Sequence, residues 1–328
     1  MATVSAGARL HVGFGNLSLS HDRLYGGIGV GLAAPRTVVE AHPAETVTVT
    51  GAADAAAVRT FAERSAALLD LPGAAVTVHE EFPRHVGLGS GTQLALSVYA
   101  AVARAHDRAA DVRAAAPHLG RGGRSGVGVA TFEDGGLVVD GGHPTERFTT
   151  DRPERGSWAV PPVIARHDLP ADWRFVLAIP DLPRGRHGDD EDGSMRSVVT
   201  DADPAVADDV AALLTRRLLP GVAAADVDAV GDAVEAIGRH NGSWYADEQG
   251  GVYRPPVGRL VEALSAAPSV VGAGQSSWGP TTYGLTDANR AAAARRAAEA
   301  ALDDCGVDGA VQVVAPAMSG ARFGVDPP

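Results

Sequence analysis

Between residues 82 and 96 the chain reads FPRHVGLGSGTQLAL, three glycines and two small hydroxyl residues running directly into an apolar stretch. The segment before it, GAAVTVHEEFP, alternates as a strand does, and SGTQLALSVYAAVARAH behind it has the period of a helix. A strand that enters a helix through glycine leaves the first-turn N–H groups without helical partners, at the positive end of the helix dipole. Gly87, Gly89 and Gly91 admit positive φ and close backbone approach, so the turn is suited to an anion. Ser90 and Thr92 add hydroxyls able to donate to a phosphate or hold a phosphate-bound Mg²⁺, and Gln93 follows them. Three readings stand at this point: a cradle for ATP, a cradle for another phosphorylated substrate, and a tight turn that binds nothing.

Length and charge narrow the choice. A chain of 328 residues is comfortable as two packed domains. It has no apolar run of about eighteen residues, and its start, MATVSAGARLHVGF, lacks the charged-then-apolar order of a secretory signal. The expectation is a soluble, cytoplasmic protein with no membrane partner. A formal charge of −12 opposes binding to nucleic acid, which requires clustered basic residues. All 28 basic residues are arginine, which removes phosphate-binding lysines, Schiff-base chemistry and lysine general bases together. The acidic, alanine-rich, lysine-free composition points to the high-salt cytoplasm of a halophile. Cys305, alone and beside Asp303 and Asp304, reads as an inert thiol.

Strand and helix signals alternate irregularly, the pattern of an α+β protein. ATVSAGARLHVGF and RTVVEAHPAETVTVTG read as meander strands, and SGVGVATFEDGGLVVDGGH as two strands joined at Asp134-Gly135-Gly136. Residues 150–172, rich in proline and charge, form the best linker, which divides the chain into domains 1–165 and 166–328. Helices are expected at 204–218 and near 224–240, a strand at 268–272, and a turn over GAGQSSWGPTTYGLT.

Several other stretches carry chemistry. Arg121 and Arg124 flank a double glycine in GRGGRSG, two rigid forks suited to phosphate or carboxylate, followed by Ser125. Arg9 and His11 alternate on the first strand and share a face. Arg84 and His85 immediately precede the glycine loop. Asp140 and His143 stand at a strand end in VVDGGH, where a side chain can face a cleft. HGDDEDG, residues 187–193, gathers carboxylates whose default reading is a solvated loop.

PRHVGLGSGTQLAL resembles the second motif of the GHMP superfamily, GAGQSSWGPTTYGL (272–285) its third, and ARLHVGFGNLSLSHDRLYGGIGVGLAAP (8–35) its first. Within the superfamily the chain is most similar to the β-ribofuranosylaminobenzene 5′-phosphate synthases, through RLHVGF…GGIGV, HVGLGSGTQLAL, GRGGRSGVGVATFEDGGLVVDGGH and GQSSWGP, over nearly its whole length. The resemblance implies a two-domain GHMP-kinase-like fold: an N-terminal α/β domain with a left-handed crossover, and a C-terminal ferredoxin-like domain. It implies a Mg²⁺-assisted transfer from phosphoribosyl pyrophosphate to 4-hydroxybenzoate or a related benzoate, with release of CO₂ and pyrophosphate, in the making of a methanopterin-like pterin. A homodimer is implied as well.

Kinases of the superfamily place a catalytic aspartate where this chain has Gly128, and a glycine cannot orient a hydroxyl. An ATP-dependent kinase and a non-catalytic phosphometabolite-binding relative are therefore the alternatives. On the synthase reading His143 handles the phenol proton, with Asp140 orienting it or binding Mg²⁺. Asp190 and Glu191, with Ser90, are then candidate metal ligands, and Gln275, Ser276 and Ser277 line the substrate edge of the cleft.

Overall fold

A computed structural model describes residues 1–146, 153–183 and 189–324, and of residues 189–192 the backbone alone. The chain opens with two long antiparallel strands, β1 (Ala2–Asn16) and β2 (Arg23–Pro43), followed by β3 (Thr48–Thr50). Helix α1 (Ala55–Leu69) then crosses to β4 (Ala74–Glu80), which pairs in parallel with β3 and antiparallel with β2. Asp54 caps α1, accepting from the Ala57 N–H at 3.0 Å. The glycine loop leads into α2 (Ser90–Ala105), and the short α3 (Val112–Ala115) and α4 (Val127–Asp134) follow. Strands β5 (Leu137–Asp140), β6 (His143–Pro144) and β7 (Val163–His167) complete the first half.

Helix α2 lies on one face of the sheet: Leu94, Val98 and Val102 pack with Val4, Val39, Val76 and Val78. At about 25 cal/mol per Å² of apolar surface removed from water, such a face anchors the helix independently of its polar start.

The second half begins with β8 (Trp173–Pro180), followed by α5 (Asp189–Asp201) and α6 (Pro204–Leu213). A π-helical turn at Leu214–Leu218 leads to α7 (Leu219–Ala223), α8 (Val227–Trp244), α9 (Ala246–Gln249) and α10 (Val257–Ser265). Then come β9 (Gly272–Gln275), β10 (Thr282–Asp287), α11 (Ala291–Cys305), β11 (Gly309–Val314) and β12 (Arg322–Phe323). The second sheet is wholly antiparallel in the order β11-β8-β10-β9, the ferredoxin-like arrangement. Helices α10 and α11 cover one face through Leu260, Val261, Ala298 and Leu302. The other face, with Phe175, Leu177 and Tyr283, shares a core with Leu10, Val12, Leu24 and Ile28 of the first sheet. That common core fixes the two sheets against each other. Strand β12 returns to pair with β1 at Val4 and Ser5.

Local expectations are corrected at five places. Residues 127–134 form helix α4 where a strand is expected, because Gly128 permits close packing beneath α2; a Cβ there would stand 3.1 Å from the Thr92 methyl. The supposed linker contains β7, which pairs with β5 along the sheet. The GAGQSSWGPTTYGLT segment carries two strands, β9 and β10, with the turn confined between them. The strand expected at 268–272 begins at Gly272, and the 204–218 helix gives way to the π-helical turn. At the linker and in the third motif, strand pairing overrides a local signal dominated by glycine and proline.

Candidate active site

The outer edge of β1 organises the site. Strand β2 covers its inner edge, while β12 pairs the outer edge only near Val4. Further along, three elements attach to that edge in turn. The Arg9 N–H donates to the Leu88 carbonyl of the glycine loop at 3.0 Å. The His11 N–H donates to Ser276 Oγ at 3.1 Å, and the His11 carbonyl accepts from the Ser277 N–H at 3.2 Å. The Phe14 N–H donates to Asn241 Oδ1 of α8 at 2.6 Å. Outward N–H groups recur every second residue of a strand, so 9 and 11 would be followed by 13. A register shift between His11 and Gly13 moves the third attachment to Phe14.

Between these elements lies a cleft of about 210 Å³. Arg9, His11, Thr92, Arg121, Arg124, Ser125, Gln275 and Ser277 line it among the residues singled out in the sequence. Phe14, Asn241, Tyr245, Tyr253 and Trp278 also line it, and the sequence reading passed over them. Gly238, Asn241, Gly242 and Tyr245 stand at i, i+3, i+4 and i+7 of α8 and its end, a helical stripe with no aliphatic side chain. That spacing was the available signal. The Tyr245 and Trp278 rings meet at 4.5 Å, and His11 meets Phe14 edge-on at 4.7 Å, so one wall is aromatic.

Gly87 and Gly89 take the expected positive φ, and the loop glycines also make room for other parts of the protein. At Gly89 a Cβ would stand 2.7 Å from Arg9 Cγ, and at Gly91 3.2 Å from an Arg121 guanidinium nitrogen. At Gly87 it would stand 2.3 Å from the Ser276 carbonyl oxygen. Each missing side chain makes room for another part of the protein, and two glycines seat arginines directly on the loop backbone. Arg9 also donates to the Gly87 carbonyl at 3.0 Å. Helix α2 has Gly89 at its N-cap with φ 78° and no side-chain cap, so the amides of Ser90 and Gly91 have no acceptor within the helix.

Other named residues lie outside the cleft lining. Ser276 is fully buried; its hydroxyl donates to the Gly87 carbonyl at 2.8 Å and accepts from His11, which joins three motifs. Gln93 is buried and donates to the Gly128 carbonyl at 2.9 Å, tying α2 to α4. Ser90 is buried in the first turn of α2. Arg84 pairs with Asp54, the cap of α1, and His85 takes φ 63° in the turn before the loop.

Asp140 and His143, expected as a catalytic pair, are not among the described residues that line the cleft. The Asp140 carboxylate accepts from the Gly126 N–H at 2.7 Å, the Gly142 N–H at 3.0 Å and the Ser125 hydroxyl at 3.1 Å, holding the start of α4. Burial pushes its carboxyl above the usual range, against the lowering effect of hydrogen bonds from Gly142, Gly27, Gly126 and Ser125. His143 is buried beside Tyr25, ring centroids 6.3 Å apart. The side chains of Asp190 and Glu191 lie outside the described residues, as does His187.

Electrostatically the cleft is the inverse of the chain. Three arginines line it, and no carboxylate does among the described residues, in a protein of net charge −12. Burial, and then Arg9, hold the His11 imidazole well below the usual histidine range, so a neutral ring faces the cleft at neutral pH. A protein-held Mg²⁺, which favours carboxylate ligands, does not fit these described lining residues. They suit a polyanion at one end and a flat apolar ring at the other.

Known proteins are similar to this chain in sequence and in fold. The GHMP kinases N terminal domain matches residues 49–136, and the GHMP kinases C terminal domain matches 218–304. The beta-ribofuranosylphenol 5′-phosphate synthase of Methanothermobacter thermautotrophicus is 34% identical over 87% of this chain and 88% of its own. The protein of the same name from Archaeoglobus fulgidus is 36% identical over 86% of this chain and 87% of its own. Homoserine kinase from Cytophaga hutchinsonii superposes with a TM-score of 0.68 at 15% identity, covering 98% of this chain and 97% of its own, a likeness of fold alone.

Proposed function

Since this chain belongs to the GHMP kinase superfamily and, within it, to the beta-ribofuranosylphenol 5′-phosphate synthases, we propose that it transfers ribose 5-phosphate from phosphoribosyl pyrophosphate to 4-hydroxybenzoate or a close relative. The product would serve in building a methanopterin-like pterin. The bond from the anomeric carbon to the pyrophosphate oxygen breaks, and the ring carbon bearing the carboxylate bonds to the anomeric carbon. The carboxylate then leaves as CO₂, its bonding pair restoring the aromatic ring. No oxidant or nucleotide is needed.

The observation that carries this reading is a cleft with three arginines, an aromatic wall and no carboxylate among its described residues. Negative charge grows on the departing pyrophosphate, so Arg9 and Arg121, seated on the glycine loop, and Arg124, which lines the same cleft, favour the transition state over the bound substrate. Phe14, Tyr245 and Trp278 offer the flat acceptor a stacking surface. The neutral His11 stands beside that wall as a hydrogen-bond partner for the phenol or its phenolate. A kinase would need an acid to orient its acceptor hydroxyl, and Gly128 stands where that acid belongs.

Carboxyl-labelled 4-hydroxybenzoate tests the assignment. Labelled CO₂ released in proportion to phosphoribosyl pyrophosphate consumed is the expected result. Binding of the ribosyl donor without turnover would favour a non-catalytic relative.

A further inference from the structure

We propose that Asn241 is the positioning residue for the acceptor end of the cleft, a deepening that rests on the synthase reading. Its carboxamide behaves as a one-residue strand. Oδ1 accepts from the Phe14 N–H at 2.6 Å, while Nδ2 donates to the Phe14 carbonyl at 3.0 Å and to the Ile237 carbonyl at 3.2 Å. The side chain is buried, and Gly13 gives it room, since a Cβ at 13 would stand 2.5 Å from Asn241 Cγ. Phe14, so fixed, packs on His11 at 4.7 Å and on Tyr25 at 5.5 Å. Four residues beyond Asn241, Tyr245 meets Trp278. One amide thus sets both sides of the aromatic wall, from β1 and from α8; Arg121 and Arg124 hang on other elements, and Arg9, though on β1, is anchored separately to the Leu88 and Gly87 carbonyls of the glycine loop. Asparagine is the short side chain that carries its acceptor and its donor on two separate atoms, so it meets the N–H and the carbonyl of one residue together.

The split between the two substrates tests this. Asn241→Ala and the isosteric Asn241→Asp, which keeps the acceptor and loses the donor when ionised, are compared with wild type for KM, kcat and the Kd of 4-hydroxybenzoate by calorimetry. Both variants are expected to weaken 4-hydroxybenzoate at least tenfold while the KM for phosphoribosyl pyrophosphate stays within about twofold. Equal loss for both substrates, or no loss, overturns the proposal. Amide exchange at Phe14 supplies a reading free of turnover: binding of 4-hydroxybenzoate to wild-type protein should slow it, and unchanged exchange counts against the clamp even if neither variant folds. If wild type binds 4-hydroxybenzoate and releases no CO₂, the synthase reading fails while the Kd comparison still judges Asn241. If wild type does not bind it, the acceptor assignment and the proposed role fall together.

Discussion

Arginine is the residue on which this site turns, because the chain has no other permanently charged base to hold a pyrophosphate. Arg124→Ala should raise the KM for phosphoribosyl pyrophosphate or lower kcat by at least tenfold, roughly the 1.4 kcal/mol that a modest charge-assisted contact is worth. Steady-state kinetics with the donor varied checks it, and wild-type values would remove Arg124 from the site. Asp140→Asn acts differently. An amide there turns a donor toward a pocket of N–H groups, and we expect a loss of about 1–3 kcal/mol in urea unfolding, with the KM values of the folded fraction preserved. The contrast shows what was legible at this scale. Arg121 and Arg124 stood out beside glycines in an acidic chain and Arg9 and His11 as an alternating pair on the first strand, and all four line the cleft. Asp140 and His143 looked equally chemical but are not among the described lining residues, and a carboxylate that anchors a loop has the same letter as one that faces a cleft. Asn241 gave no charge signal at all.

At the scale of elements, Ser276 is the joint between the glycine loop, β1 and the third motif. Ser276→Ala would leave the Gly87 carbonyl and the His11 N–H without their buried partner, at a cost of about 1–3 kcal/mol for each group. Both substrates should lose kcat/KM together, measured beside the Tm; loss confined to one substrate would contradict a shared joint. The α2–α4 contact is similarly tight: Gly128→Ala places a methyl 3.1 Å from the Thr92 side chain, and a fall in kcat is expected from the displaced loop. The glycine loop and the helix behind it could be read from sequence because apolar period and punctuation agree there. Helix α4 and strands β9 and β10 could not, since glycine erases the local period in all three and β10's second partner, β8, lies far back along the chain.

For the whole molecule, acid is the informative stress. Burial and Arg9 hold His11 well below its ordinary value, so the unfolded chain binds a proton there that the folded chain refuses. The stability held in the neutral ring is complete above about pH 6.5 and is lost as pH falls below that toward the folded value. Thermal unfolding from pH 8 to 5 should therefore show Tm falling below about pH 6.5, less steeply in His11→Gln. An identical slope in the variant would contradict it. Asp140, held above its usual range, has the opposite sign and contributes stability that is lost as pH rises through its folded value.

The two-domain α+β plan was legible because three glycine motifs spaced along the chain converge in one known architecture. What sequence did not disclose is that they converge on one strand edge, with an arginine seated on each of two loop glycines. That arrangement predicts a pyrophosphate guest. Phosphorus NMR of the protein incubated with phosphoribosyl pyrophosphate, 4-hydroxybenzoate and ATP together tests it most directly. Conversion of the ribosyl donor to inorganic pyrophosphate and a new phosphate monoester, with ATP unchanged, is the predicted result. ATP converted to ADP while phosphoribosyl pyrophosphate persists would contradict it.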